Sequence, residues 1–286
     1  LSFCDVYKMN EKTSVFGSSG FVGSSYVKYN PDQCISIDRE DNKPKSNNVL
    51  YFISTIDNYN VYEKPHLDID TNLTKLIDVL EECRKLENVT FNFISSWFVY
   101  GKTDQIPVKE TACCNPSGFY SITKLAAEQL LKSYCKTFNM DYRILRLTNI
   151  IGSNDKKVSA KKNALQYMIN LLRENKEVKL YDNGEPIRDF MHVSDCCRAI
   201  NTVINTTEKN FIVNISNSNG MKIGDIINYA KDKLNSTSKI THIPAPNFHK
   251  SVQSKDFCLD NSRLLGLQYV PSVSVFDAVN MILENQ

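Results

Sequence analysis

The stretch from Thr13 to Asp38, TSVFGSSGFVGSSYVKYNPDQCISID, decides the fold. A short β-branched and aromatic run, Thr13 to Phe16, passes straight into glycines at positions 17, 20 and 23, and a helical stretch follows to about Tyr29. A second apolar run, Cys34 to Asp38, ends on an acid. Strand, glycine turn, helix and strand make one βαβ unit, whose strands lie parallel under the right-handed crossover rule. The GxxGxxG spacing has a physical use at such a turn. Glycines let the backbone approach a pyrophosphate, the helix N-terminus offers N–H donors and partial positive charge, and an acid about 20 residues on suits adenosine-ribose hydroxyls. The plainer reading is a glycine-bearing helix start with no ligand; the flanking strands and Asp38 weigh against it.

The same alternation continues outward. A polar stretch, Arg39 to Asn48, precedes the apolar run Val49 to Ile53. Leu73, Leu76, Ile77, Leu80 and Cys83 fall at helical spacing, Val89 to Ser95 reads as a strand, Gly118 to Phe138 holds a helix, and Tyr142 to Leu147 reads as a strand. The pattern predicts an α/β fold with a doubly wound parallel sheet. From Ile151 it loosens into helices over 164–174, 193–203, 223–234 and 273–283, strands over 178–181 and 211–215, and a turn at Asp182-Asn183-Gly184. Residues 1–150 are therefore expected to form a nucleotide-binding domain, with a segment near 189–215 returning to its sheet. Residues 151–286 are expected to form a smaller C-terminal substrate lobe.

Composition narrows the partners. In 286 residues, 34 Lys and Arg against 32 Asp and Glu leave a formal charge of +2, which gives no basic footprint for nucleic acid or an anionic membrane. No apolar stretch approaches the roughly 20 residues that span a bilayer. The first twelve residues, LSFCDVYKMNEK, lack the basic and apolar regions of a secretory signal. Nine cysteines include two adjacent pairs but no CxxC, and the four histidines are not at zinc spacing from them. Free thiols in a reducing cytosol, without a metal, are expected.

Two further segments carry chemistry. Tyr120 and Lys124 in YSITK stand four apart and share one helix face. An ammonium beside a phenol favours phenolate and lowers its pKa from about 10, which suits Tyr120 as general acid or base. Lys124 can also grip a ribose. The plainer reading is two exposed residues on a helix. Ser96, in ISSWFVYG, ends a strand on the sheet edge where ligands bind, and its hydroxyl can orient a substrate oxygen. Its plainer role is to cap the strand end.

With these segments together, the chain resembles the extended short-chain dehydrogenase/reductases of the NAD-dependent nucleotide-sugar epimerase/dehydratase family. GSSGFVG (17–23) is similar to the family's NAD loop, SSWFVYG (95–101) to its serine strand, and YSITKLAAEQLL (120–131) to its Tyr/Lys helix. RLTNIIG (146–152) and GEPIRDFMHVSD (184–195) are similar to its two substrate-lobe signatures. The resemblance implies a Rossmann-type sheet and a catalytic triad of Ser96, Tyr120 and Lys124. It places Gly17, Gly20, Phe21, Val22, Gly23, Asp38, Arg39 and Ser54, with Tyr120 and Lys124, around NAD. It assigns Ser96, Trp97, Asn149 and Arg188 to a nucleotide-diphosphate sugar, with Arg188 on the diphosphate. The plainer role for Arg188 is an ion pair with Asp189 or Asp195. It also implies a cytoplasmic homodimer, paired through the helices of Asn72 to Leu86 and Gly118 to Phe138 as a four-helix bundle; otherwise their apolar faces only cover the sheet.

Three departures qualify the resemblance. Family dehydratases and decarboxylases carry carboxylates in the two positions after the Ser/Thr, where this chain has Trp97 and Phe98, which exchange no protons at neutral pH. The run from Asp38 to Val49 is too short for the usual extra strand and helix, so the adenine end is expected to be open. Asn247-Phe248-His249-Lys250 stands where an Arg-Pro-Gly-Asp segment is common. Asp38 favours NAD, and Arg39 beside it leaves NADP possible. The expected activity is NAD-dependent epimerisation of a nucleotide sugar at the fourth carbon. The alternatives are an NAD(P)H-dependent reductase of a 4-keto-deoxysugar nucleotide, a nucleotide-sugar 4,6-dehydratase, and a redox-sensing binding protein that does no chemistry.

Overall fold

β1 (Thr13–Phe16) is buried at every residue, and after the glycine turn and α1 (Phe21–Tyr29) the chain returns as β2 (Cys34–Ser36), parallel to β1. The computed structural model describes residues 12–56, 58–103, 105–155 and 158–284; the first eleven residues, most of the segment weighed as a signal sequence, lie outside them. β2 ends two residues before Asp38, although Ile37 N still bonds Val15 O at 3.0 Å. Between β2 and β3 (Asn48–Tyr51) no helix or strand forms, and β3 pairs with the other side of β1.

The chain then builds α2 (Pro65–Ile69) and α3 (Lys75–Cys83), joined by a π-helical turn over Asp70–Thr74. β4 (Thr90–Ser96), α4 (Phe119–Thr137) and β5 (Asp141–Leu147) complete the run of parallel strands. β6 (Asn149–Ile151), α5 (Ala164–Arg173), β7 (Val178–Tyr181) and β8 (Ile187–His192) follow, then α6 (Val193–Ile204) and β9 (Phe211–Ile215). The last elements are β10 (Gly220–Lys222), α7 (Ile223–Lys233), β11 (Ile240–Ile243), α8 (Asn247–Val252), α9 (Ser262–Gly266) and α10 (Val275–Glu284).

The main sheet has the order β2-β1-β3-β4-β5-β9, all parallel. The open dinucleotide-binding sheet has strand order 3-2-1-4-5-6. Here the strand outside β2 is missing, as the short polar run after Asp38 requires, and β2 becomes the edge. Helices cover both faces. Tyr26 of α1 and Cys196, Cys197, Ile200 and Val203 of α6 pack on one side, and Leu76, Leu80 and Leu131 of α3 and α4 pack against Phe91 and Phe93 on the other. In α6 the buried positions 193, 195, 196, 197, 199, 200, 203 and 204 keep to one side of the helix, and the apolar ones among them make its sequence readable.

β8 joins β6 and β10 in a three-stranded sheet, and β11 pairs with β7. β7 stands where the sequence pattern placed a strand, whereas β6, β8, β10 and β11 show no strand signal in the sequence. β8 buries Arg188, Asp189 and His192 among its apolar residues, so its sequence shows neither alternation nor an apolar run. All eight described cysteines are free, five of them buried.

At the junction of β4, β5 and α4 lies a fully buried Glu128. It accepts Ser95 Oγ at 2.6 Å and both Nε and Nη2 of Arg146, at 3.0 and 2.7 Å. Arg146→Met strands that carboxylate without a cation, and a loss of about 3–5 kcal/mol is expected. Urea unfolding checks it, with Glu128→Leu added to Arg146→Met expected to restore most of the loss.

Candidate active site

The carboxyl ends of β1, β3, β4 and β5 open into a cavity of about 1300 Å³, closed on the far side by residues of β6, β7, β8 and α8. Such an edge is where open α/β sheets bind ligands.

The glycine turn forms one wall. Gly17 has φ +76°, and a side-chain carbon there would press on Phe52 and Ile53. A carbon on Gly23 would stand 2.3 Å from Gly17 O, so α1 can lie this close to β1 only without one. The N-cap of α1 is Gly20, with no side chain accepting from the first-turn N–H groups. These donors are open to a diphosphate, and the cradle fits a dinucleotide cofactor. Phe21, Val22 and Ser54 also line the cavity. Asp38 and Arg39 do not; both are exposed beyond the end of β2. Eight of the ten residues expected around the cofactor therefore meet at the cavity, and two stand outside it.

Ser96, Tyr120 and Lys124 lie together on the opposite wall. Ser96 Oγ accepts Phe98 N at 3.3 Å, so it caps the turn after β4 while its half-buried side chain faces the cavity. Tyr120 is 6% exposed, with the Phe98 ring edge-on to it at 5.9 Å. Lys124 is fully buried, donates from Nζ to Ile94 O at 2.7 Å, and sits 4.1 Å from the Phe93 ring centre. Burial lowers its ammonium from 10.5 to about 7, against the opposing pull of Glu128 one turn further along α4. The two residues are thus not exposed positions on a helix.

Two positioning residues were invisible to motif reading. Asn72, in the π-helical turn, donates to Thr55 Oγ1 at 2.8 Å and Thr123 Oγ1 at 2.9 Å, and accepts Thr55 N and Ser54 Oγ. It ties the loop after β3 to α4 beside Lys124. Asn58 Oδ1 accepts Ser121 N and Oγ at 3.2 and 3.3 Å, next to Tyr120. Neither residue lies in a recognisable spacing; the contact spans 51 positions for Asn72 and 63 for Asn58.

Trp97 is 3% exposed and stacks between Phe98 at 4.0 Å and Phe257 at 4.2 Å, so it is mostly core. Phe98 is half-buried, and both rings border the cavity next to Ser96. The carboxylates that line the cavity, Asp155 and Glu177, come from the far lobe. Asn149 donates to Asp189 O at 2.9 Å. Arg188 pairs with neither acid weighed for it. It donates to the carbonyls of Ile187, Ser254 and Lys255 at 2.8, 3.1 and 2.5 Å. Asp189 is taken by Ser216 and Leu259, and Asp195 by Arg198, Asn217, Ser272 and Val273. Burial lowers the guanidinium to about 10.

Lys124 gives a pH prediction. Between about 7 and 10.5 the unfolded chain holds the proton that the folded site gives up, so this group's penalty is full below 7 and fades as pH rises. Lys124→Met is expected to exceed the parent in stability most clearly below pH 7, with the advantage vanishing towards pH 10. Urea midpoints across that range check it.

The NAD dependent epimerase/dehydratase family matches residues 48–216, more than half of the chain, and the chain belongs to that family. A protein named "Putative UDP-glucose 4-epimerase" from Methanocaldococcus jannaschii is 29% identical over 188 residues, covering 65% of this chain and 60% of the relative. The chain thus spans less than two thirds of that relative's length. Among solved structures, UDP-glucose 4-epimerase of Thermotoga maritima with UDP-glucose superposes with a TM-score of 0.87 at 19% identity, over 96% of this chain and 98% of that one. UDP-glucuronic acid 4-epimerase of Bacillus cereus, in complex with UDP-glucuronic acid and NAD, gives 0.84 at 21% identity, over 96% and 98%. At these identities the superpositions establish the Rossmann-type fold.

Proposed function

We propose that the chain is an NAD-dependent nucleotide-sugar epimerase acting at the fourth carbon. The observation that carries this reading is one cavity holding the glycine cradle, Ser96, Tyr120 and Lys124, with aromatic rings rather than carboxylates beside Ser96. The epimerases named among its relatives and structural neighbours support it. Gly17, Gly20, Phe21, Val22, Gly23 and Ser54 hold the cofactor, with Asp38 or Arg39 reaching its outer end. Residues 1–150 and 189–215 then serve the cofactor, and 151–286 the sugar nucleotide.

A nicotinamide held by the glycine cradle would supply reversible hydride transfer with the sugar. Tyr120 Oη takes the proton of the sugar's hydroxyl and later gives it back. Ser96 Oγ aligns that oxygen. Lys124 Nζ, on the same face of α4, favours the ionised phenol while it carries its proton. Asn149 and Arg188 hold the sugar nucleotide away from this wall, Arg188 on the diphosphate. The breadth of the cavity lets a keto-sugar present its other face. Water elimination has no acid and base at positions 97 and 98, which places the dehydratase reading behind.

Denaturing the purified protein and identifying released nicotinamide by mass tests the reading. Near-stoichiometric NAD is expected; an empty site that fills reversibly with NADPH overturns it in favour of the 4-ketoreductase. Tyr120→Phe is expected to slow epimer interconversion by about 10²–10⁴-fold while cofactor remains bound.

Association belongs to the same reading. Ile122 and Leu130 stand eight residues apart on α4, 47% and 41% exposed, and α2, which packs on α4, exposes Leu67 and Ile69 at 40% and 37%. Exposed apolar side chains on two packed helices suit a second copy of the chain. Sedimentation is expected to show a dimer at micromolar concentration, and a pure monomer there removes it. Free thiols suit a cytoplasmic setting, and among the described residues no helix is long and apolar enough to cross a membrane.

A further inference from the structure

α8 carries the Asn247-Phe248-His249-Lys250 segment, which the catalytic reading leaves unused. Gln253, one turn after His249, donates its N–H to His249 O at 3.1 Å. Its side-chain Oε1 accepts Arg188 Nη2 at 3.5 Å, and His249, Gln253 and Arg188 all line the cavity. The other partners of Arg188 are backbone carbonyls, so nothing that hydrogen-bonds the guanidinium carries a negative charge. Asp256, which accepts Ile187 N at 2.9 Å, attracts the guanidinium without hydrogen-bonding it, so a buried cation at the cavity wall keeps donors and charge suited to an anion.

His249 stands at that site with its own donors unused. Its ring packs on Tyr181 at 5.3 Å between centres, and its nitrogens have no hydrogen-bond partner among the described residues. The charged groups that face it are Arg188 of β8 and Asp182 at the end of β7; on its own helix Lys250 is exposed. Burial first, and Arg188 second, hold the imidazole neutral by lowering it to about 4, with Asp182 partly opposing. A doubly charged diphosphate at Arg188 reverses the field that the ring feels.

We propose that His249 is a second ligand of the substrate's diphosphate and takes up a solvent proton as that anion binds beside Arg188. The inference rests on the nucleotide-sugar reading above. The proton goes to an imidazole nitrogen, whose N–H then donates to a phosphate oxygen; on release the proton returns to solvent. Sugar nucleotide is therefore held more tightly as pH falls towards 6, and let go more readily as it rises.

The probe is UDP-glucose, whose diphosphate diester keeps its charge across the range, titrated calorimetrically into cofactor-loaded protein. Measurements from about pH 5.5 to about pH 8.5, each in two buffers of different ionisation enthalpy, give both Kd and protons taken up. Up to about one proton per site is expected, with Kd rising by as much as about tenfold per pH unit over part of the range. His249→Gln and His249→Asn are expected to lose that share of uptake and flatten the Kd profile. Lys124, also poised near neutrality in this cavity, is present in all three proteins, so the difference belongs to His249. Equal proton uptake in the parent and both variants overturns the proposal and leaves the epimerase reading standing. Failure of both UDP-glucose and dTDP-glucose to bind at any pH overturns that reading, and the proposal with it.

Discussion

A single carboxylate organises the site. Glu128 sits at the buried meeting point of β4, β5 and α4, and it joins all three through Ser95, Arg146 and its own helix. Removing both charges from water is expensive, and the pair is tolerable only because every oxygen finds a short, well-aligned donor. Its reach is geometric. Ser95 precedes Ser96 on β4, while Lys124 and Tyr120 lie one and two turns back along α4. Fixing Glu128 therefore fixes the register between the hydroxyl on the strand and the phenol on the helix. Arg146 opens the RLTNIIG segment, yet its work is done behind the cavity and not in it.

Two buried cations line the cavity without a hydrogen-bonded carboxylate of their own, Glu128 and Asp256 acting on them only through the field. Lys124 and Arg188 both donate to main-chain carbonyls, which satisfy their hydrogen bonds and leave their charge. Burial lowers the pKa of both, one to about 7 and the other to about 10. The folded chain thus stores an electrostatic penalty on two walls of one cavity, and an anionic ligand relieves it. Trp97, Phe98 and Phe257 form a stack beside Ser96, and Phe98 turns its edge towards Tyr120.

The missing outer strand shapes the other end. With β2 at the sheet edge, Asp38 and Arg39 emerge into solvent instead of lining a pocket. The glycine cradle lines the cavity while the region past the end of β2 is unwalled, so the cavity is enclosed at the cradle and open beyond it.

What the sequence alone determined was local. The strand and glycine turn of 13–23, the helix that sets Tyr120 four residues from Lys124, and the amphipathic α6 follow from sterics and periodicity over one or two turns of chain. Those forces act between neighbours, so spacing reveals them. Tertiary structure decided the rest: that Asn72 and Asn58 brace α4, that Arg188 binds carbonyls instead of the adjacent acids, that Asp38 stands clear of the cavity, and that β6, β8, β10 and β11 are strands at all. Each of these depends on which distant group happens to arrive at hydrogen-bonding distance, and on how much water its arrival excludes. A buried Arg or Asn accepts several partners of similar energy, and only the packing of the whole chain selects among them.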